Sequence, residues 1–282
     1  MRFIFLLLLG ISFYSEAQQN TSLLWEISGK SMNSPSYLFG SFHLMCATDF
    51  QFQDAIKEKI ARTKQFYGEI DMSAPNIQQE LMGLLMLQGT NLETLMGAAD
   101  FKRADSSFTK LVGMPLQTFA PFKPFLPSSL LALQSIPCVD KVQPETKLME
   151  YAQSLKLPIK GLETIRDQMN ALDTQPLDSQ VIALKQLIFG FDSVKIMMTS
   201  LINLYKKGNP DSLYHFIKTN GESDNFEAAL LVKRNKNWIP VMIAAMHSMP
   251  SFFVVGAGHL AAETGVIALL RKEGYTLKPI AY

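Results

Sequence analysis

Two histidines follow the same short motif at distant points of the chain. His43 ends the segment GSFH (residues 40–43), and His259 ends GAGH (residues 256–259). Each motif comes after an apolar run typical of a buried strand, and its glycines allow the backbone to turn or approach closely. Open α/β sheets place their sites beyond the carboxyl ends of their strands. We therefore predict that both histidines lie at one sheet edge, although each motif alone is weak evidence.

Three further side chains have chemistry that fits such an edge. Glu69 lies at the end of an apolar strand segment, where a carboxylate is costly to bury unless it is paired or ligated. Two neutral histidines and a carboxylate form a common hydrolytic metal set. Glu163 could orient a histidine or act as a base, or it could be an ordinary carboxylate at a helix N-terminus. Arg234 could clamp a substrate carboxylate or stabilise an oxyanion, or it could be a solvated helix end.

The other candidate nucleophiles and ligands point to structural roles. His215 and His247 lie on helical segments without a carboxylate at ligand spacing, and the chain has no phosphate loop, GxSxG elbow or HExxH helix. Cys46 lies three residues after His43 and could be a nucleophile. In an exported chain, a disulfide between Cys46 and Cys138 is favoured over this and over two free thiols.

The elements that must position these residues predict an α/β fold. We expect a mixed central β-sheet flanked by helices, with a large helical insertion at about 74–154 and 164–248. The predicted strands are 23–27, 36–43, 65–71, 156–163, 252–259 and 275–280. Separate helices are predicted at 54–64, 226–234, 238–247 and 262–272. The helix after His259 would disfavour an imidazolium, and a metal ligand must be a neutral imidazole.

Composition and the first residues set the class of protein. The net charge is +1 without a Lys/Arg cluster, which argues against nucleic acid as a partner. Arg2 precedes an apolar run that ends in the small residues Ser15 and Ala17, a pattern typical of a signal peptide over 1–17. The mature domain would then be 18–282, exported to the periplasm or medium. The uncharged segment 237–262 is broken by prolines, so we expect no membrane span after cleavage.

Several motifs together resemble the TraB/PrgY/GumN family. They are LWEI (24–27) followed by SYLFGSFHL (36–44), GLET (161–164), RN (234–235), VGAGHL (255–260) and GVIALLRKEGY (265–275). The family is related to the Tiki metalloproteases, which share paired Gly-x-x-His motifs and an essential glutamate and use manganese or cobalt. The resemblance implies that His43, His259 and Glu69 bind a divalent metal, manganese or cobalt, with zinc as another possibility. Other relatives are linked to peptide-pheromone shutdown, which implies a peptide substrate.

These observations favour a metal-dependent, peptidase-like hydrolase acting on a peptide or small molecule, with Glu163 and Arg234 assisting. One alternative is a non-catalytic protein that sequesters a peptide or ligand in the same cleft. Another is a metal-independent esterase-like enzyme in which His43 and Glu69 exchange protons. The sequence does not indicate an oligomeric state.

The hydrolase hypothesis predicts the distance between the two histidine side chains. The two histidines should lie within about 4–7 Å of each other, since ligands sit roughly 2.0–2.2 Å from a shared ion. Both should also be reachable from solvent through a pocket.

Overall fold

A mixed six-stranded sheet is the centre of the protein. The computed structural model describes residues 22–30, 32–220 and 227–282, so the predicted signal peptide lies outside the described residues. The strands in chain order are β1 (Leu24–Ser28), β2 (Ser36–Ser41), β3 (Met45–Cys46), β4 (Gln65–Gly68), β5 (Lys141–Val142), β6 (Ile159–Gly161), β7 (Ser251–Gly256) and β8 (Thr276–Ile280).

The strand order β6-β4-β7-β2-β1-β8 gathers four strand ends at one edge. Strands β6, β4, β7 and β2 are parallel neighbours, whereas β1 is antiparallel to both β2 and β8. Every residue of β2 and β7 is buried, as expected for apolar runs without alternation. The predicted mixed sheet is therefore confirmed, and its parallel half has all its carboxyl ends on the same side.

Helices cover the sheet and form the predicted helical region. They are α1 (Asp54–Ala61), α2 (Ile77–Leu85), α3 (Leu92–Met96), α4 (Ala98–Val112), α5 (Phe125–Ser135), α6 (Pro144–Ser154), α7 (Ile165–Leu172), α8 (Leu177–Phe189), α9 (Phe191–Lys206), α10 (Pro210–Asn220), α11 (Arg234–Ser248) and α12 (Val266–Lys272). A second apolar core, separate from that of the sheet, lies among α3, α4, α5 and α8. Its fully buried members include Leu92, Phe108, Leu131 and Leu184.

Three details differ from the sequence prediction. The segment 74–154 is not wholly helical, because β5 pairs with β3 in a small antiparallel ladder. Phe226 lies outside the described residues, and the helices predicted around it and after it are instead a π-helix (Ala228–Lys233) that runs directly into α11. The helix after His259 begins only at Val266.

Within the described residues, no single helix is both long and apolar enough to cross a membrane. The pair α8 and α9 passes that test only when joined, and its two halves meet at 92°.

The predicted disulfide between Cys46 and Cys138 is present, with the two Cα atoms 5.9 Å apart. Cys46 is in β3, and the β3–β5 ladder pairs it with Lys141. The bridge and the ladder together fix the loop that follows His43 against the chain that leads into α6. This loop is therefore held from two directions.

The Cys46→Ser/Cys138→Ser double variant should lose stability, because the bridge joins cysteines that are 92 residues apart. The chain-entropy model gives a loss of about 4–5 kcal/mol in the free energy of unfolding. Urea denaturation of the wild type and the double variant measures it, and reduced wild type is the control that should match the variant. A loss below about 1 kcal/mol would contradict the assigned contribution.

Candidate functional site

All five residues predicted from the sequence lie at the carboxyl edge of the parallel strands. His43 lies two residues beyond β2, and Glu69 directly follows β4. Glu163 lies two residues beyond β6, and His259 ends a 3-10 turn that continues from β7. Arg234 is the first residue of α11. The strand assignments at residues 36–43 and 252–259 were slightly too long, so both histidines lie on the turns that follow the strands.

The two histidines and Glu69 surround the space above the Cα atom of Gly256. A Cβ atom placed on Gly256 would lie 3.4 Å from Nε2 of His43, 3.4 Å from Oε1 of Glu69 and 3.6 Å from Cδ2 of His259. Nε2 of His43 and Cδ2 of His259 are therefore at most 7.0 Å apart, the sum of their distances from this Cβ position, 3.4 and 3.6 Å. An alanine here would make ordinary van der Waals contacts, but its methyl group would occupy the space that the three side chains surround.

The first motif needs its glycine for close packing. A Cβ atom on Gly40 would lie 2.5 Å from Cδ1 of Leu260 and 3.1 Å from the Cα atom of Ala257. Without a side chain, β2 can pack closely against the turn that carries His259. Gly40 therefore sets the distance between the two motifs.

His43 is oriented by Glu145, which the sequence analysis missed. The Nδ1 atom of His43 lies 2.7 Å from Oε1 of Glu145, and the same oxygen accepts a 2.5 Å hydrogen bond from the Ser41 hydroxyl. Partial desolvation of the ring lowers the pKa of His43, but the Glu145 carboxylate outweighs this effect and raises the pKa to about 9. The His43 side chain is 72% exposed. With Nδ1 on Glu145, the Nε2 atom faces the space above Gly256.

His259 is buried, with 4% of its surface exposed, so the expectation that both histidines are reachable from solvent is wrong for this one. Its Nδ1 atom donates to Oδ1 of Asn235 at 2.6 Å, which leaves Nε2 as an acceptor. Burial, reinforced by the charge of Arg234 and only partly opposed by Glu69, lowers the pKa of His259 to about 3. The imidazole is therefore neutral, and the cause is burial rather than the helix predicted nearby.

Glu69 and Glu163 lie side by side because the β4–β6 pairing continues past the strand ends. The amide of Glu163 donates to the carbonyl of Glu69 at 3.0 Å. Arg234 bridges the two carboxylates, since its Nη2 atom lies 2.6 Å from an oxygen of each. The three side chains are only 5–10% exposed. Two buried like charges need such a cation between them.

All three nitrogen atoms of the Arg234 guanidinium group already donate hydrogen bonds within the protein. Its Nε atom donates to Glu163, and Nη1 donates to the carbonyl of Leu230 at 2.9 Å and to Nε2 of His259 at 3.3 Å. The alternative that Arg234 is a solvated helix end is wrong, because only 7% of it is exposed. Clamping a substrate or an oxyanion would require it to leave one of these partners.

Glu163 contacts Arg234 and accepts from the indole of Trp238 at 3.0 Å. Burial raises its pKa, and Arg234 opposes the rise. The residues that orient the two histidines are instead Glu145 and Asn235. Glu145 gives little signal in the sequence, because an acidic residue in the first turn of a helix is common. Asn235 belongs to the RN motif.

Glu69 is ionised at neutral pH. Burial would raise its pKa, but electrostatic interactions with His259, His43 and Arg234, together with the amide of Gly256, lower it to about 2. Gly256 donates to Oε1 at 2.7 Å, and the Oε2 atom accepts from Arg234 and from Gln168 at 2.6 and 3.1 Å. The Oε1 atom is therefore the oxygen that faces the space above Gly256.

The donor chemistry at this space fits a divalent metal. The described residues contain no ready group of three or more His, Cys, Asp or Glu side chains that could hold an ion as they stand. The His43 and His259 rings are nevertheless oriented through Nδ1, as metal-ligating histidines usually are. An ionised carboxylate and a space that one Cβ atom would fill complete the set. His43 must lose a proton, and the side chains must close inward, before they could share an ion.

Gly256→Ala should weaken binding of manganese by roughly tenfold or more, because the methyl group would occupy the space among the three side chains. Isothermal titration with MnCl₂ measures the affinity. Gly258→Ala is the matched control, since its Cβ atom would meet only the mobile Cδ1 atom of Ile217, at 3.3 Å. Equal affinities for the two variants would contradict this location for the metal.

Comparisons with known proteins agree with the motifs. The chain is 23% identical to Metalloprotease TIKI1 of Xenopus tropicalis, 23% to Metalloprotease TIKI1 of Homo sapiens and 21% to Metalloprotease TIKI2 of Danio rerio. Each alignment covers 91% of this chain and 60–61% of the relative, so the chain spans about three-fifths of the length of these proteins. No solved structure matches the chain significantly. A sequence model of the TraB/PrgY/gumN family matches residues 23–279, and the chain therefore belongs to that family.

Proposed function

We propose that this protein is a metal-dependent peptidase whose ion is held by His43, His259 and Glu69. The observation that carries the proposal is the convergence of these three side chains on the space above Gly256. The likeness to metalloproteases supports a hydrolase of the peptidase type. Manganese or cobalt is the ion that the family resemblance implies, with zinc as the alternative.

The charge of the site supports a divalent cation. Glu69, Glu145 and Glu163 contribute three negative charges, and Arg234 contributes one positive charge. With both histidines neutral, the net charge is −2, which one divalent ion neutralises. Without the ion, the proton on His43 balances part of this charge, consistent with its raised pKa. Metal binding should therefore release that proton.

The protein's own residues have separate roles in this proposal. Glu145 and Asn235 each hold Nδ1 of one ring, which leaves the two Nε2 atoms as the ligand atoms. To bind the ion, Nε2 of His259 must give up the hydrogen bond that it accepts from Arg234. Arg234 and Gln168 hold Oε2 of Glu69, which leaves Oε1 to contact the ion or to accept a proton from water. A bound divalent ion lowers the pKa of water and polarises a carbonyl group. His43 lies on the open side of the site, where a peptide can reach it.

We also propose that the protein is exported and acts on peptides outside the cytoplasm. The disulfide supports this location, because such bonds persist in oxidising compartments. The apolar segment at residues 1–17 supports it from the sequence. The periplasm and the external medium both satisfy these observations.

One alternative has a specific observation in its favour. The His43–Glu145 pair resembles the acid–base pairs of hydrolases that use no metal, since a carboxylate holds Nδ1 and leaves Nε2 free. Such an enzyme would keep its activity in a chelator. The peptidase proposed above would lose its activity.

The test uses protein purified without chelator and assayed on a mixture of unstructured peptides by mass spectrometry. We expect bound metal, cleavage that stops in EDTA and recovery with manganese or cobalt. His43→Ala and His259→Gln should each lower kcat/KM by about a hundredfold or more, because each removes a direct ligand of the ion. Loss of a residue that only orients such a ligand typically costs roughly 10–100-fold. The control is His215→Ala, at an exposed position on α10, which should retain activity.

Metal-free His43→Ala should melt close to the wild type, because the side chain is largely exposed. Cleavage that continues in EDTA would overturn the metal requirement and favour the acid–base alternative. The absence of any cleavage in metal-loaded protein would leave the sequestering function.

A further inference from the structure

We propose that the cavity beside His43 and Glu69 is a subsite for one apolar side chain of the substrate, so that the enzyme prefers peptides with leucine, methionine or phenylalanine next to the cleaved bond. This inference rests on the proposed peptidase function and adds the class of peptide to it.

The cavity has an apolar wall and a polar end. It encloses about 280 Å³ and reaches His43, Glu69 and Glu145 at the site. The rest of its wall is formed mainly by side chains from β4, β6, β7, α6 and the turn after Glu69. The apolar members are Phe66, Ile70, Met72, Met149, Ile159 and Val254.

The volume is large enough for one apolar side chain of a peptide. Ordinary ligand pockets enclose roughly 300–1,000 Å³, and this cavity lies just below that range. A peptide that crosses the open face at His43 could place one residue in the cavity and keep its neighbours outside. The residue in the cavity would then lie next to the bond at the catalytic edge.

The charges of the wall disfavour ionic side chains. Within the described part of the chain, the cavity wall contains no lysine or arginine. The positive charge at its polar end, on His43 or on the ion that replaces its proton, is already matched by Glu69 and Glu145, so an aspartate would find no unmatched cation. Those carboxylates are also poor partners for a lysine, because both already have partners. Glu69 contacts Arg234 and the Gly256 amide, and Glu145 accepts from Ser41. Burial of apolar surface is therefore the main source of binding energy here.

Two methionines make the preference broad. Met149 lies along the wall on α6, and Met72, which is 50% exposed, lies at the rim. Unbranched thioether side chains adjust to different shapes and contact aromatic rings favourably. The subsite should therefore accept leucine, methionine and phenylalanine with similar efficiency, rather than select one of them.

The test uses internally quenched peptides that are identical except for one central residue, which is leucine, lysine or aspartate. Metal-loaded wild type should cleave the leucine peptide with a kcat/KM about tenfold or more above that of the other two, since burying an apolar side chain accounts for such a factor. Mass spectrometry of the products locates the cleaved bond next to the varied residue.

Met72→Lys should then reduce the preference, because a cation at the rim offsets the acidic end. The aspartate peptide should gain roughly threefold to fivefold relative to the leucine peptide, the range that an exposed ion pair supplies. Met82→Lys is the matched control, since Met82 is 46% exposed and lies outside the cavity wall. It should leave the preference unchanged.

The outcomes separate this inference from the function on which it rests. Cleavage of the three peptides at equal rates would overturn the apolar subsite and leave the peptidase intact. If none of the peptides is cleaved, the subsite is tested by binding. The same peptides are then labelled with a fluorescent dye but no quencher, and fluorescence anisotropy measures their affinities. Tighter binding of the leucine peptide would support the subsite and count against the peptidase, and equal binding would overturn both. If Met72→Lys fails to fold, the wild-type panel still decides.

Discussion

The buried guanidinium of Arg234 is the interaction on which the rest of the site depends. Parallel pairing of β4 and β6 brings Glu69 and Glu163 side by side, and neither carboxylate could remain charged there without a cation. Arg234 bridges them and also donates to His259. One side chain on α11 thus links the ends of β4, β6 and β7. Removing one partner of such a buried pair typically costs 3–5 kcal/mol, so this cluster couples fold stability to site geometry.

The same cluster explains why two distant motifs form one site. Parallel β2 and β7 bring Gly40 beside Val255, and the motif glycines then serve different ends, close packing at Gly40 and open space at Gly256. Each histidine has its own orienting partner, Glu145 for the exposed ring and Asn235 for the buried one. The disulfide and the β3–β5 ladder stabilise the approach of Glu145 to His43. Both histidine rings are therefore oriented through their Nδ1 atoms.

The sequence predicted those features that are determined within a single segment of the chain. The apolar runs of β2 and β7 identified central strands, and the residues after them identified the edge where the site lies. Glu145 was missed because its role depends on a fold that brings α6 to His43, and a carboxylate in a first helical turn looks ordinary. The two-residue β5 has no period to detect, and its pairing with β3 is a tertiary property. Burial likewise set the neutral state of His259, which local sequence does not encode.

The central claim is that His43 and His259 share one divalent ion with Glu69. Anomalous diffraction at the manganese edge, from crystals grown with MnCl₂, tests this most directly. The account predicts one peak above the Cα atom of Gly256, about 2.0–2.2 Å from Nε2 of both histidines, with Oε1 of Glu69 also in contact. A peak that contacts only one of the histidines, or no peak at this edge of the sheet, would contradict it.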